Sequence, residues 1–246
     1  MSGWGPEFLP GFSNSNGTLQ FRYDAELLQM EAWGPHALRV RASRHAHGSP
    51  FPSNNWALSI DQAVLKPKIT ITDTHATIVN GNITGTVSKY GKLTFTHTIT
   101  GTILLEEYAR HRRDHSDPKC SALDIEGRDF HPTPHSSDYR LTVRFESLDP
   151  DEKLYGMGQF QQPHLNLKGQ DLELAQRNSQ ASVPFLLSSR GYGFLWNLPA
   201  VGRAVLGTNV MSFEAEQTQV MDYWVVAGER PKEIVEAYAK VAGTVP

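Results

Sequence analysis

Between residues 68 and 105 the chain is written in twos. Ile69 and Ile71 alternate with Thr70 and Thr72, and Leu93, Phe95, His97 and Ile99 alternate with Thr94, Thr96, Thr98 and Thr100. Successive side chains of an extended chain point to opposite faces, so this pattern builds one apolar row and one threonine row. Threonine is β-branched and suits a pleated, half-exposed face. Thr77-Ile78-Val79 runs into Asn80-Gly81, two residues that tolerate positive φ and so signal a tight turn. A return strand with Ile83 and Val87 follows, and Tyr90-Gly91-Lys92 turns the chain again. Three strands linked by hairpins call for an antiparallel sheet and argue against βαβ units.

The same period recurs elsewhere. Leu38, Val40 and Ala42 alternate with Ala37, Arg39 and Arg41 after a Trp33-Gly34-Pro35-His36 turn, and Leu141, Val143 and Phe145 alternate with Arg140, Thr142 and Arg144. Beyond Tyr155 the strands are more apolar. Val183-Pro184-Phe185-Leu186-Leu187-Ser188 and Tyr192-Gly193-Phe194-Leu195-Trp196 flank a Ser189-Arg190-Gly191 turn. Met221 to Ala227 is a nearly continuous apolar run, the signature of a strand buried on both faces. Pro231 then stands where a helix favours its first residue. Ile234, Val235, Tyr238, Val241 and Ala242 make one helical stripe, and Gly243 is the stop. These patterns predict an all-β protein, an antiparallel β-sandwich with one C-terminal helix. The expected division is an irregular, Gly- and Asn-rich lead-in over 1–20, a sandwich over 21–230 and a helical segment over 231–246. Residues 43–56 and the charged, histidine-rich stretch 110–137 read as surface loops. At 246 residues the chain is near the upper size for a single sandwich.

A net charge of −3 leaves no basic face for nucleic acid or an anionic membrane. No stretch approaches the roughly 20 apolar residues that span a bilayer. Met1 to Pro6 carry neither a basic nor an apolar leader, which favours a cytoplasmic location. The single cysteine, Cys120, excludes an internal disulfide and sits in no nucleophile signature. Asn16-Gly17-Thr18 and Asn82-Ile83-Thr84 match the glycosylation triplet, and both read as chance without a leader.

Few groups are spaced for chemistry. His111 with His115 and His131 with His135 have i, i+4 spacing, but two prolines interrupt the second pair and two arginines crowd the first. Both read as solvated loops, and no metal is expected. Glu214 and Glu216 would share a strand face about 7 Å apart, within the range of a glycosidase carboxylate pair. Gln217-Thr218-Gln219 beside them reads as a solvated hairpin, so they are taken as structural. Glu106-Glu107, and Asp149 with Asp151-Glu152, are the other acidic pairs. Tyr155-Gly156-Met157-Gly158 lacks a following helix, so its glycines point to a bulge rather than to a nucleotide, and no cofactor motif is present. Gln176, Arg177 and Asn178 stand between two strand-like segments. Their amides and guanidinium are the groups that hydrogen-bond sugar hydroxyls, although a polar loop facing water has the same composition.

Taken in order, Leu154-Tyr155-Gly156-Met157-Gly158-Gln159, then Val183-Pro184-Phe185 with Gly191-Tyr192-Gly193, then Asp222-Tyr223-Trp224 to Gly228 with Pro231 to Tyr238, resemble motifs of glycoside hydrolase family 31. The hairpins from Asn80-Gly81 to Leu104-Leu105-Glu106-Glu107 resemble that family's earlier strands. Gln159-Phe160-Gln161-Gln162-Pro163 and the Gln176 loop resemble its α-xylosidase-like branch. The resemblance implies a galactose-mutarotase-like supersandwich and a retaining α-glycosidase whose aspartate nucleophile and acid/base lie in a (β/α)8 barrel, in cis or in trans. No position in this chain matches either aspartate. The chain is therefore expected to be the N-terminal domain of an α-xylosidase or α-glucosidase, inactive alone, with Gln176, Arg177 and Asn178 at the sugar. The family often has a longer loop with an aspartate there. A free-standing carbohydrate-binding module and an aldose epimerase are the alternatives.

Overall fold

The computed structural model describes residues 11–44, 51–58 and 66–244. Residues 1–10 of the expected lead-in, 45–50 of the expected loop and 245–246 after the helix lie outside these. The elements are β1 (Gly11–Ser15), β2 (Thr18–Tyr23), β3 (Glu26–Ala32), β4 (Ala37–Ser43), β5 (Lys68–Ile71), β6 (His75–Asn80), β7 (Ile83–Ser88), β8 (Leu93–His97) and β9 (Ile103–Glu106). There follow β10 (Arg128–Pro132), β11 (Tyr139–Glu146), β12 (Leu154–Gln159), β13 (Asp171–Leu174), β14 (Ala181–Ser188), β15 (Tyr192–Trp196), β16 (Gly202–Leu206), β17 (Val210–Thr218), β18 (Met221–Ala227) and α1 (Pro231–Ala242).

One layer is an eight-stranded sheet in the order β1-β2-β3-β4-β18-β15-β14-β12. Two five-stranded sheets, β5-β6-β7-β8-β9 and β10-β11-β17-β16-β13, make the other. They meet where Glu107 bridges Phe145 and the Tyr108 N–H donates to the Arg144 carbonyl at 2.9 Å. The core is aromatic across the gap. Phe145 of β11 packs edge-on against Phe194 and Tyr223 of the eight-stranded sheet, with centroids 5.4 and 5.8 Å apart, and Phe194 lies 4.5 Å from Phe213. The alternating residues anticipated from sequence line this gap: Leu93, Phe95, Leu141, Val143 and Phe145 are all fully buried. The predicted antiparallel sandwich with a C-terminal helix is what the chain forms.

The apolar run of β18 follows from its place in the middle. Tyr223 and Val225 join the inter-sheet core, whereas Trp224 and Val226 face the opposite way, into a second cluster with Ile234 and Val241 of α1. Tyr238 stacks on Phe185 at 4.0 Å and closes that cluster.

Several local features depart from the sequence pattern. Residues 11–20 are not irregular: Asn16 and Gly17 take positive φ, 51° and 81°, and turn β1 into β2 as a hairpin. The 110–137 stretch contains β10, which pairs with β11. Ile99 lies beyond the end of β8, in a turn, and is 75% exposed, so the alternation outlasts the strand. Arg39 is not on a wet face. It is 1% exposed and bonds Asp222 and Asn55, because the outer face of the central strands is covered as well. Burial pushes Asp222 up to about 6 even with Arg39 opposing. Val235 also falls off the buried stripe of α1, at 47% exposure. Among the described residues no helix is long and apolar enough to cross a membrane.

Candidate functional site

The strands around residues 175–180 belong to different layers. β13 pairs with β16 in one five-stranded sheet, and β14 pairs with β12 and β15 in the eight-stranded sheet. Six residues therefore carry the chain across the edge of the sandwich. They fold back tightly: Arg177 and Gln180 form a two-residue bridge around an Asn178-Ser179 tip.

This turn brings Gln176, Arg177 and Asn178 together, all three exposed, and gives them different surroundings. The Gln176 Nε2 donates to the Ser182 carbonyl at 2.8 Å, and its Oε1 accepts the Ser182 N–H at 3.1 Å. Arg177 donates from Nε and Nη2 to the two carboxylate oxygens of Glu173, at 3.1 and 2.6 Å. That hydrogen bonding holds Glu173 below the usual carboxylate range and raises Arg177. Asn178 stands at the tip. Sequence reasoning placed these residues on one loop but did not find Glu173 and Ser182, which hold them.

The neighbouring edge strand carries the strained part. Gly156, Met157 and Gly158 have φ of 99°, 67° and 99°. The ladder shifts between Gly156 and Gly158, so residues 183–185 of β14 stand opposite Met157 alone. Pro184, which has no N–H for a ladder, sits in that gap. A Cβ on Gly156 would lie 2.5 Å from the Phe185 carbonyl oxygen, and one on Gly158 would lie 2.1 Å from that of Ala181. Met157 is completely buried, which pins the bulge from below. The glycines serve a bulge and a close backbone approach, as their spacing suggested. Gln159, the first residue of the Gln159-Phe160-Gln161 run, pairs with Ala181 and so lies against the base of the hairpin.

The other candidates stand apart from this hairpin. Glu214 faces Arg140 at 3.4 Å across β17 and β11. Glu106 is held by Lys92 and Lys119, and Glu152 is buried under Lys168, Ser188 and Tyr192. His111 stacks on Tyr90, with centroids 4.1 Å apart. Its ring is lowered by burial, while nearby acids and arginines pull in both directions. The Cys120 thiol donates to the His111 carbonyl at 3.4 Å. Among the described residues no three His, Cys, Asp or Glu side chains converge as a metal site. A cavity of about 260 Å³ opens near the other edge of the eight-stranded sheet, with Phe21, Tyr23 and Tyr90 in its walls. Glu107 and Arg128 line it too. They are paired through Arg128 Nη1 at 2.6 Å, and burial pushes Glu107 up against the pull of Arg128.

The architecture is that of an antiparallel β-sandwich with a helix packed outside. Residues 27–202 match the glycosyl hydrolase 31 N-terminal galactose mutarotase-like domain, and the chain belongs to glycoside hydrolase family 31, as a domain of that N-terminal type. It is 44% identical over 240 residues to an uncharacterized family 31 glucosidase of Pseudescherichia vulneris, a match covering 93% of this chain and 43% of that protein. A family 31 α-xylosidase from a soil metagenome, solved with xylose, superposes with a TM-score of 0.89 at 43% identity over 96% of this chain and 35% of the other. A xylosidase from Aspergillus niger shares the fold at 22% identity, with a TM-score of 0.76 over 97% of this chain and 34% of its own. The chain thus spans well under half the length of these relatives.

Proposed function

We propose that this domain is the substrate-side companion of a catalytic (β/α)8 barrel in a retaining α-glycosidase, acting on α-xylosides in preference to α-glucosides. The likeness that carries this reading is the α-xylosidase solved with xylose, at 43% identity over 96% of this chain. In this reading residues 21–230 are the sandwich, and residues 231–246 lead toward the barrel, which holds both catalytic aspartates. The hairpin with Gln176, Arg177 and Asn178 faces the sugar. The exposed Arg177 guanidinium and the Asn178 amide offer donors and acceptors that suit adjacent hydroxyls. Their exposure is what a surface completed by a second domain requires.

The test is hydrolysis of p-nitrophenyl α-xyloside and α-glucoside by the intact protein that carries this domain, beside the 246-residue chain alone. The expected result is turnover by the intact protein, faster on the xyloside, and none by the chain. Turnover by the chain itself, or an intact protein inert on both substrates, overturns the reading. In the intact enzyme, Arg177→Ala is expected to raise KM about tenfold with little change in kcat, the loss of a charged hydrogen bond made equally in ground and transition states.

A further inference from the structure

We propose that Gln176 is a positioning residue: its amide, together with the glycine bulge of β12, fixes where Arg177 and Asn178 stand. This rests on the reading of the hairpin as a wall of the sugar site.

The hairpin has little else to order it. The two backbone hydrogen bonds across its tip, between Arg177 and Gln180, are long, at 3.4 and 3.3 Å, against a usual value near 2.9 Å. The bond from Gln180 Nε2 to the Ala175 carbonyl is also 3.3 Å. The two Gln176 bonds, at 2.8 and 3.1 Å, are shorter than all of these. A glutamine amide carries a donor and an acceptor side by side, as a peptide group does. It therefore pairs with both backbone groups of Ser182 as a neighbouring strand residue would, and a side chain substitutes for a rung of ladder where the chain is leaving one sheet for another.

Ser182 is itself placed by the bulge. It pairs with Gly158, whose φ of 99° is closed to residues with a Cβ, and a Cβ there would lie 2.6 Å from the Val183 nitrogen. Met157 anchors that bulge in the core. Position thus passes from the core through Met157 and Gly158 to Ser182, from Ser182 to the Gln176 amide, and from there to the next two residues. Glu173 adds the second restraint, on the Arg177 side chain. One donor and one acceptor of the Gln176 amide are engaged with Ser182, which fixes the amide's orientation and makes its part at a sugar that of a support.

Two readouts test this. Hydrogen exchange at the Ser182 amide is measured in the 246-residue chain, and KM and kcat for p-nitrophenyl α-xyloside are measured in the intact protein. Gln176→Leu removes both bonds and keeps the side chain's reach. It is expected to speed Ser182 exchange about tenfold and to raise KM three- to tenfold at unchanged kcat, the ratios given by losing one or two exposed hydrogen bonds. Gln176→Glu keeps the acceptor for the Ser182 N–H and is expected to retain its protection and to fall between on KM. A Gln176→Leu protein with raised KM but native Ser182 exchange overturns the inference in favour of direct contact. Lost protection with native KM overturns it as well, provided Arg177→Ala still raises KM. If neither Arg177→Ala nor Asn178→Ala moves KM, the sugar-facing reading of the hairpin itself has failed, and this inference falls with it.

Discussion

Replacing Arg128 with methionine strips the counter-charge from a carboxylate that has no exposure to water. Glu107 is 0% exposed, and both its oxygens receive Arg128 Nη1 at 2.6 Å. With Arg128 gone, the Leu93 N–H at 2.9 Å is what remains to Glu107. Arg128 is better supplied, because Nε reaches Glu26 at 3.0 Å and Nη2 reaches the Gly91 carbonyl at 3.0 Å. The two single substitutions should therefore be unequal. Arg128→Met leaves an uncompensated buried charge, at a cost of about 3–5 kcal/mol. Glu107→Gln keeps the shape and leaves Arg128 with Glu26, at a cost of about 1–3 kcal/mol. The double variant has no stranded carboxylate and should be more stable than Arg128→Met alone, a coupling of about 1–3 kcal/mol. The pH dependence carries a second sign. Burial already pushes Glu107 up, and Arg128 opposes it. Without Arg128 the folded-state value climbs further above the unfolded one. A raised carboxylate contributes stability below its unfolded value, and that contribution is lost as pH rises through the folded value. The gap between wild type and Arg128→Met should thus widen from pH 5 to pH 8. Urea unfolding of the 246-residue chain, with unchanged m-values, measures all four proteins. A loss under about 1 kcal/mol for Arg128→Met at pH 8, a double variant less stable than Arg128→Met, or a gap that narrows with pH would refute the reasoning.

Gly158→Ala should cost about 2–4 kcal/mol, the strain of a left-handed residue plus a contact that backbone atoms must move to relieve, and should lower Tm; a wild-type melting curve would show that the bulge is not closed to a Cβ. Against a burial that would raise them, hydrogen bonds from Lys119 and Lys92 hold Glu106 below the usual carboxylate range, and those from Lys92 and the Lys119 backbone do the same for Asp117. Their stabilisation is present above the unfolded values and is lost as pH falls through the folded ones. Lys92→Met should therefore be less stable at neutral pH and converge on wild type in acid; parallel unfolding curves from pH 7 to 3 would sink that account.

The strands were legible where one face is wet. Leu141, Val143 and Phe145 alternate with polar residues because β11 has the core on one side only. β18 was legible as well, as a strand covered on both sides, since an unbroken apolar run has that one economical explanation. The strand at 11–15 was not, because Gly11, Ser13, Asn14 and Ser15 read as loop residues until Thr18 to Arg22 supplies a partner. The hairpin at Gln176 was legible as a polar loop, since its composition is local. Which of its side chains are occupied was not. The Ser182 partner depends on a bulge in β12, two strands back along the chain but adjacent in the sheet, and no periodicity signals it.

The sequence by itself determined the class of fold, the turns, the helix and the family, because periodicity, positive-φ residues and short motifs are properties of neighbouring positions. Only the tertiary structure decided the pairing of Arg39 with Asp222 and of Arg128 with Glu107. It also decided the joining of two five-stranded sheets at Glu107, and the different hydrogen-bond partners of Gln176 and Arg177. Those arrangements join residues from 4 to 183 positions apart. Their geometry is set by how the layers pack, which local patterns constrain in kind but not in place.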